Sequence, residues 1–217
     1  DVEKHNPFRA EFHDSVREMF ARFAPNMVFG MKFVFRNLWL FGPLLKKLMP
    51  VISPAGAAML QTTIAFTTAK GSNGLNVLPQ EAYVTGNLRF IPHQGTDESI
   101  EIIRQVAKKH QIETQVIYKD YPCPVVDHKG RPFQLVEETI HKIYPGIGVC
   151  PYTMTGGTDA KYYSDICENA IRFAPLYITN QQYGSIHGIN ENINCDALPL
   201  GVDFYKEIIQ NTHKARS

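Results

Sequence analysis

The sequence predicts an α/β protein in which a ferredoxin-like α+β unit precedes a second unit of alternating strands and helices. Apolar and polar residues alternate over residues 62–68, 82–90 and 112–118, which is the side-chain period of a strand. An apolar stripe at helical spacing lies between the second and third segments, with Thr96 as its predicted cap. With a helix in front, the order helix, strand, strand, helix, strand is a ferredoxin-like unit that lacks its first strand.

Residues 121–132 form a linker by composition, because turn-forming residues and prolines are frequent there. Beyond it the pattern predicts a helix over 133–144, a strand over 147–154, a short helix ending at 166, a buried strand over 169–176 and a last helix over 198–210. Strands that alternate with helices imply a mostly parallel sheet covered on both faces. We therefore expect two domains, residues 1–120 and residues 121–217.

The first 49 residues contain two helical segments of different character. Residues 1–24 carry an amphipathic stripe that Pro25 ends. Residues 26–49 are strongly apolar, but basic residues and Pro43 interrupt them before a membrane span of about 18 residues is reached. A packed helical hairpin is the prediction we favour for this segment. The alternative is an interfacial or lipid-handling surface, because basic residues flank a large aromatic face.

Composition excludes several classes of protein. The 217 residues carry 22 Lys and Arg against 21 Asp and Glu, and no basic stripe dominates, which argues against a nucleic-acid surface. The four cysteines form no C-x-x-C pair and are too few for a disulfide scaffold, so a reduced, cytoplasmic compartment is expected. The chain begins at Asp1 with no signal-peptide pattern, and we expect it to be a fragment or a processed product.

Two polar motifs, separated by one predicted strand, form the candidate site. T-G-G-T-D (155–159) contains Gly156 and Gly157, which let a backbone approach a ligand closely, and its Thr and Asp are natural helix caps. Such a turn directs N–H groups at an anion. H-G-I-N-E (187–191) places His187 in a loop, where its imidazole can face a cleft. No second histidine lies at metal-ligand spacing, so these patterns alone predict a cleft and not a chemistry.

The same motifs carry a family resemblance. T-G-G-T-D-A-K-Y-Y, followed by I-R-F-A-P-L and I-H-G-I-N-E, resembles the carboxy-terminal part of the co-catalytic zinc carboxypeptidases and aminoacylases, in particular the Gly-X carboxypeptidase or carboxypeptidase S type. Ala160 and Lys161 depart from the G-G-T-D-S-R that members usually show, and Lys lacks the planar fork of Arg. The resemblance implies a lid or dimerisation domain over 1–120, with 26–49 as an apolar helical insertion. Residues 121–217 would then be half of an α/β zinc-peptidase-like catalytic domain.

The resemblance also implies roles for individual residues. Asn76, in N-V-L-P at the start of the second lid strand, and Arg89, thirteen residues later, match lid residues that reach the partner subunit's active site. There they would bind the substrate's carbonyl and carboxylate, since Arg offers a bidentate fork and an Asn amide can donate to an oxyanion. Gly156, Gly157 and Thr158 would line the pocket for the carboxylate end of the substrate.

The implied activity is that of a zinc-dependent carboxypeptidase or N-acyl-amino-acid amidohydrolase, which cleaves an amide bond next to a free carboxylate. His187 would ligate one of two zinc ions, and Glu191 would support it or cap the last helix. The general base and the other metal ligands are expected before Asp1, so this chain alone is expected to be inactive.

The alternative function is a non-catalytic ferredoxin-like module for dimerisation or ligand binding, which residues 1–120 alone would satisfy. The expected partners are a peptide or small-molecule substrate with a free carboxylate and a second copy of the chain, paired through the exposed edge of the lid sheet. Nucleic acid and a membrane are not expected among the partners.

Overall fold

The computed structural model describes residue 2 and residues 5–214, apart from the side chains of residues 213 and 214. In this part of the chain the elements are α1 (Asp14–Phe23), α2 (Phe29–Arg36), α3 (Leu38–Ile52), α4 (Pro54–Leu60), β1 (Thr63–Lys70), β2 (Tyr83–Arg89), α5 (Gly95–Lys109), α6 (Arg131–Ile143), α7 (Ala160–Tyr163), α8 (Asn180–Ser185) and α9 (Ala197–Lys214). A 3₁₀ turn over Ala24–Asn26 follows α1. The mixed α/β class predicted from the sequence is confirmed.

The chain divides into two compact units. Unit 1 comprises Asp1–Pro124 and Tyr152–Lys161, and unit 2 comprises Val125–Pro151 and Tyr162–Ser217. Residues 152–161 therefore belong with the lid segment, although the sequence assigns them to the carboxy-terminal half. The domain boundary after residue 120 stays a prediction.

The sheet in the described residues consists of β1 and β2, paired antiparallel with Thr63 opposite Arg89 and Lys70 opposite Tyr83. The strands predicted over 62–68 and 82–90 are thus confirmed. Most side chains of both strands are exposed. Because each strand has one neighbour, both outer edges lack a partner among the described residues.

Three predicted strands, over 112–118, 147–154 and 169–176, are wrong, and with them the mostly parallel second sheet. In the described structure these segments run without ladder pairing. Alternation of apolar residues determines which side chains share a face, but a strand also needs a neighbour to supply its hydrogen bonds. Pro151 and Pro175 each remove one backbone donor as well. The ferredoxin-like unit is therefore not confirmed, since α1, β1, β2 and α5 occur in the predicted order but the third strand of its sheet is missing from the described structure.

The helical predictions fare better. The helices expected in residues 1–24 and over 133–144 and 198–210 are present as α1, α6 and α9. Thr96 is not the cap of α5, because that helix begins at Gly95 and the Thr96 hydroxyl donates to the carbonyl of Asp120 at 2.6 Å. The helix expected to end at 166 is the four-residue α7. The sequence patterns did not predict α4 and α8.

The apolar segment 26–49 is helical, as predicted, but it is not a packed hairpin. The ring of Phe35 stacks on Phe20 of α1 with centroids 4.2 Å apart, which fixes the inner side of α2. The outer side is open, since Phe29 is 86% and Trp39 is 77% exposed. These apolar residues find no cover among the neighbouring elements described. No helix in the described ranges combines the length and apolar character needed to cross a bilayer.

Buried hydroxyls join the ends of the two strands to α5. The Ile91 amide donates to Thr62 Oγ1 at 3.3 Å, and Thr62 Oγ1 lies 3.2 Å from Ser99 Oγ. Ser99 Oγ donates to the Gly95 carbonyl at 2.6 Å, so its proton is used and Thr62 must be the donor of the pair. Thr62 and Ser99 are fully buried, and both hydroxyls are satisfied by this series of hydrogen bonds.

Replacing Thr62 by valine should destabilise the protein by roughly 1–3 kcal/mol, because the buried Ile91 N–H loses its acceptor while the volume is kept. Urea unfolding measures the change in the free energy of unfolding. The matched control is Thr67→Val on the exposed part of β1, which should change stability by no more than about 0.5 kcal/mol. Equal losses in both variants would contradict the structural role of these hydrogen bonds.

Candidate functional site

Residues 152–161, which carry the Gly-Gly turn, are attached to unit 1 by side chains from two of its elements. Ser15 of α1 and Thr153 place their hydroxyl oxygens 3.3 Å apart. Arg89, the last residue of β2, donates from Nη1 to the Thr155 carbonyl at 3.5 Å. The second contact brings an exposed guanidinium to the residue that precedes Gly156. Two of the predicted site elements, Arg89 and the turn, therefore lie together.

A third attachment uses Lys161, where the related motif usually has arginine. Lys161 Nζ lies 3.0 Å from Asp120 Oδ2. The hydrogen bond from Lys161, and then that from the Tyr121 amide, lowers the pKa of the Asp120 carboxyl below its usual value. The lysine charge therefore tethers the turn to the segment that follows α5.

The Gly-Gly turn is open on its outer side. A Cβ built on Gly156 or Gly157 would meet no heavy atom within 4 Å. Neither of their amides has a hydrogen-bond partner among the described residues. Thr158 acts as predicted in one respect, because its Oγ1 accepts from the Ala160 amide at 3.3 Å. The expected positive helix end is missing, since the four residues of α7 are too short to build a macrodipole. Of the expected anion-binding groups, the structure provides Arg89 and the free amides.

Asn76 lies far from Arg89 in the same chain. Asn76 is exposed in the connection 71–82 between the strands, so the prediction that it begins the second strand is wrong. Arg89 ends β2 at the opposite end of the hairpin, beside Thr63. The length of β2 separates the two ends by about 20 Å. The described structure therefore does not bring the two residues of one chain together.

His187 occupies a strained and tightly held loop in unit 2. Its φ of 64° lies in the left-handed region, which few residues other than glycine adopt. The His187 amide donates to the Glu191 carboxylate at 2.9 Å, and the Gly188 amide donates to the Ser185 carbonyl at 2.8 Å. A Cβ on Gly188 would stand 2.9 Å from that carbonyl oxygen, so only glycine fits there. Neither imidazole nitrogen has a partner among the described residues.

The turn before His187 is fixed by a capping box at the start of α8. Thr179 Oγ1 accepts from the Gln182 amide at 3.2 Å, and the Gln182 side chain accepts from the Thr179 amide at 2.9 Å. Glu191 holds the loop by accepting from the backbone amide of His187, and its expected support of a metal-bound imidazole stays a prediction. The other role, as a cap of the last helix, is wrong because α9 begins at Ala197.

A complete metal centre is not built by the residues that the structure describes. Within residue 2 and residues 5–214, no three His, Cys, Asp or Glu side chains cluster so that they could hold a metal ion. His187 lies in unit 2, whereas the five predicted substrate-binding residues lie in unit 1. The expected zinc ions therefore do not fit the described residues alone.

A pair of histidines in unit 1 was not predicted from the sequence. His93 Nε2 lies 2.7 Å from the Arg9 carbonyl, which can only accept, so this nitrogen carries the proton. His93 Nδ1 is then the acceptor for His13 Nε2, 2.6 Å away. Burial, and next the repulsion from His93, lowers the pKa of His13 below its usual value. No local spacing indicates such a contact between residues 80 positions apart.

The comparisons with known proteins assign the family. Residues 10–211 match peptidase family M20/M25/M40. The chain belongs to this family. The match continues through both units, so the motifs at 155–159 and 187–191 lie within it. It confirms the resemblance to the carboxypeptidases and aminoacylases.

Relatives in this family act on acylated amino acids or are described as carboxypeptidases. The chain is 31% identical over 197 residues to the N-fatty-acyl-amino acid synthase/hydrolase PM20D1 of Xenopus tropicalis, covering 90% of this chain and 38% of that protein. It is 33% identical over 184 residues to the probable carboxypeptidase S-like 2 of Dictyostelium discoideum, covering 84% of this chain and 35% of that protein. The chain thus spans little more than a third of the length of these relatives. No solved structure was found to match it.

Acidification should weaken the fold through His13. The pKa of His13 is lowered in the folded state. Its contribution to the free energy of unfolding is therefore complete above the pKa of the unfolded chain, about 6.5, and is lost as the pH falls below that pKa. Thermal unfolding followed by circular dichroism at pH 7.5 and 5.5 should show that acidification lowers the melting temperature less in His13→Gln than in the parent protein. In the control His128→Gln, which leaves the pair intact, the loss should match the parent. Identical pH dependence in all three proteins would contradict this role of His13.

Proposed function

We propose that the protein is part of a carboxypeptidase or N-acyl-amino-acid amidohydrolase that cleaves an amide bond next to a free carboxylate. The observation that carries the proposal is the exposed guanidinium of Arg89, 3.5 Å from the Thr155 carbonyl and beside the free amides of Gly156 and Gly157. The family membership and the names of the relatives agree with hydrolysis of acyl-amino acid or peptide bonds.

The chain's own residues would act by binding and orienting the substrate. Arg89 supplies a charge-assisted fork for the carboxylate, and the amides of Gly156 and Gly157 can donate to the same group. Thr158 lies next to them at the start of α7, with its hydroxyl already accepting from a backbone amide. Holding the carboxylate positions the neighbouring amide bond for attack, which converts binding energy into orientation.

The metal chemistry of this proposal rests on the family resemblance, which implies two zinc ions that activate water. His187 is proposed as one ligand, supported by its partnerless imidazole and its rigid left-handed backbone. The described residues do not supply the other ligands, so a complete centre requires groups from outside them. A module without catalysis is less well supported, because the family match extends through residue 211.

We also propose a homodimer through the β1–β2 hairpin. Both outer edges of the hairpin lack a partner among the described residues, and Leu75 and Leu78 at the tip of its connection are almost fully exposed. Because Asn76 lies in the connection at the far end of the hairpin from Arg89, we propose that it serves the substrate of another site. Light scattering should give twice the mass of one chain, and the mass of a single chain in an active preparation would contradict the dimer.

Changing Arg89 to alanine should lower kcat/KM for N-acyl-amino acids, because a charge-assisted pair is lost. The loss should correspond to roughly 2–4 kcal/mol of transition-state stabilisation. Arg89→Lys should recover only part of this, since a point charge does not replace the fork. The kinetics are measured on the full-length enzyme of which this chain is proposed to be part, and calorimetry measures binding of an N-acyl-amino acid to the same protein. Normal binding and turnover in Arg89→Ala would remove the main support for the proposed function.

The contrasting variant is His187→Ala, measured in the same preparations. If His187 is a ligand, its loss should lower the bound metal per chain and kcat, whereas Arg89→Ala should leave the metal content unchanged. Elemental analysis measures the metal. His187→Gly is the matched control for backbone strain, because glycine accepts the left-handed conformation and removes the same imidazole. Full metal content in both variants of His187 would exclude it as a ligand.

A further inference from the structure

The outward face of α3 is apolar where a surface helix is normally polar. Leu40, Leu44, Leu48 and Val51 follow one another at spacings of four, four and three, so they share one side of the helix. They are between 43% and 83% exposed, while Gly42 on the opposite side is buried. The helix therefore packs through one side and presents a leucine-rich stripe outward.

The neighbouring helix α2 extends this face. Ten large apolar side chains between residues 28 and 52 are exposed: Val28, Phe29, Met31, Phe33, Trp39, Leu40, Leu44, Leu48, Val51 and Ile52. The fold holds them in place, because Phe35 is stacked on Phe20 and the Asn37 side chain donates to the Phe33 carbonyl at 2.7 Å. We call these residues, together with the basic residues among them, the α2–α3 face.

The charge around this face has one sign. No Asp or Glu occurs between Glu18 and Glu81, although the whole chain carries nearly equal numbers of acids and bases. Four basic residues lie on α2 and α3, namely Lys32, Arg36, Lys46 and Lys47, and none forms an ion pair with an acid in the described ranges. Lys46 follows Gly42 by four residues and so lies on the packed side of α3, which leaves three of these charges on the α2–α3 face. Exposed apolar residues elsewhere, such as those of α9, alternate with Asp203 and Glu207. The α2–α3 face thus combines apolar surface with uncompensated positive charge.

A groove of about 450 Å³ lies at the edge of the face and combines both properties. Arg17 and Arg36 line it together with Phe35, Leu38 and Trp39, and Arg17 Nε donates to the Phe12 carbonyl at 3.1 Å. Arginine binds phosphate through paired N–H groups, and tryptophan favours the boundary between hydrocarbon and water. A phosphate headgroup with its attached chains matches this lining.

We propose that the α2–α3 face docks on the surface of an anionic phospholipid bilayer. The 15 residues of α3 extend about 22 Å, too short to cross a bilayer but suited to lie along its interface. A second copy of the chain is a poorer occupant, because two such faces would bring six positive charges together. The sequence leads us to expect no membrane because no segment spans one, whereas surface docking needs no span. The inference is independent of the proposed amide hydrolysis.

Trp39 provides a direct test, because it is the one tryptophan of the 217 residues and lies on the face. The purified protein is mixed with phosphatidylcholine vesicles, with or without 30% phosphatidylserine, at about 0.1 M salt. We expect a blue shift of Trp39 fluorescence, protection of that fluorescence from quenching by acrylamide, and co-sedimentation of the protein with the vesicles. All three should require phosphatidylserine. Raising the salt to about 0.5 M should abolish the part of the binding that depends on charge.

Two pairs of variants separate charge from apolar contact. Lys32→Ala with Lys47→Ala should lower the partition coefficient roughly 30-fold, whereas Lys108→Ala with Lys109→Ala on α5 should lower it no more than about 2-fold. Phe29→Ser with Val51→Ser should also release the protein, and Val202→Ser with Ile209→Ser on α9 is its control. Circular dichroism confirms that each variant keeps its helices.

Three outcomes would overturn the proposal. Equal binding to both vesicle types would exclude recognition of anionic lipid. Equal loss in the test and control variants would indicate general adhesion of apolar surface. A Trp39 that becomes protected as protein concentration rises, without vesicles, would assign the face to a second copy of the chain.

Discussion

Unit 1 depends on a short series of buried hydroxyl groups. Thr62 follows α4, Ile91 follows β2 and Ser99 lies in α5, and hydrogen bonds join all three where water does not reach. Buried polar groups are tolerated only when they are paired, so these bonds fix the relative positions of the three segments. Arg89 lies two residues before Ile91, and the placement of its guanidinium beside Thr155 follows from this anchor.

Local patterns predicted α1, α5, α6, α9 and the β1–β2 pair because the signal for each lies within the element itself. An apolar stripe identifies α1, α6 and α9, and alternation identifies both strands. Residues 112–118, 147–154 and 169–176 carry similar signals but do not pair, because pairing depends on a neighbouring strand that the pattern does not contain. The exposure of α2 and α3 was not predicted for a similar reason, because composition alone does not distinguish a core helix from a surface helix with an apolar face.

The site was predictable at the level of motifs and not of contacts. The residues of T-G-G-T-D and H-G-I-N-E were found from glycine placement and family resemblance, but the contact of Arg89 with Thr155 spans 66 positions and needs the fold. The sequence predicted that Asn76 and Arg89 act on one substrate, but β2 places them at opposite ends of the hairpin. One local signal was available and missed, the T-x-x-Q capping box at Thr179, which sets the start of the helix before His187.

The chain passes between its two units three times, at residues 124, 151 and 161. Unit 1 thus receives its last ten residues, with the Gly-Gly turn, only after α6 of unit 2 has been synthesised. During translation Arg89 therefore meets Thr155 only after a segment of the other unit has emerged, so unit 1 cannot be completed before part of unit 2 has been synthesised. For the same reason no single cut in the polypeptide yields an intact unit 1, and dissection of this protein requires a rearranged chain order.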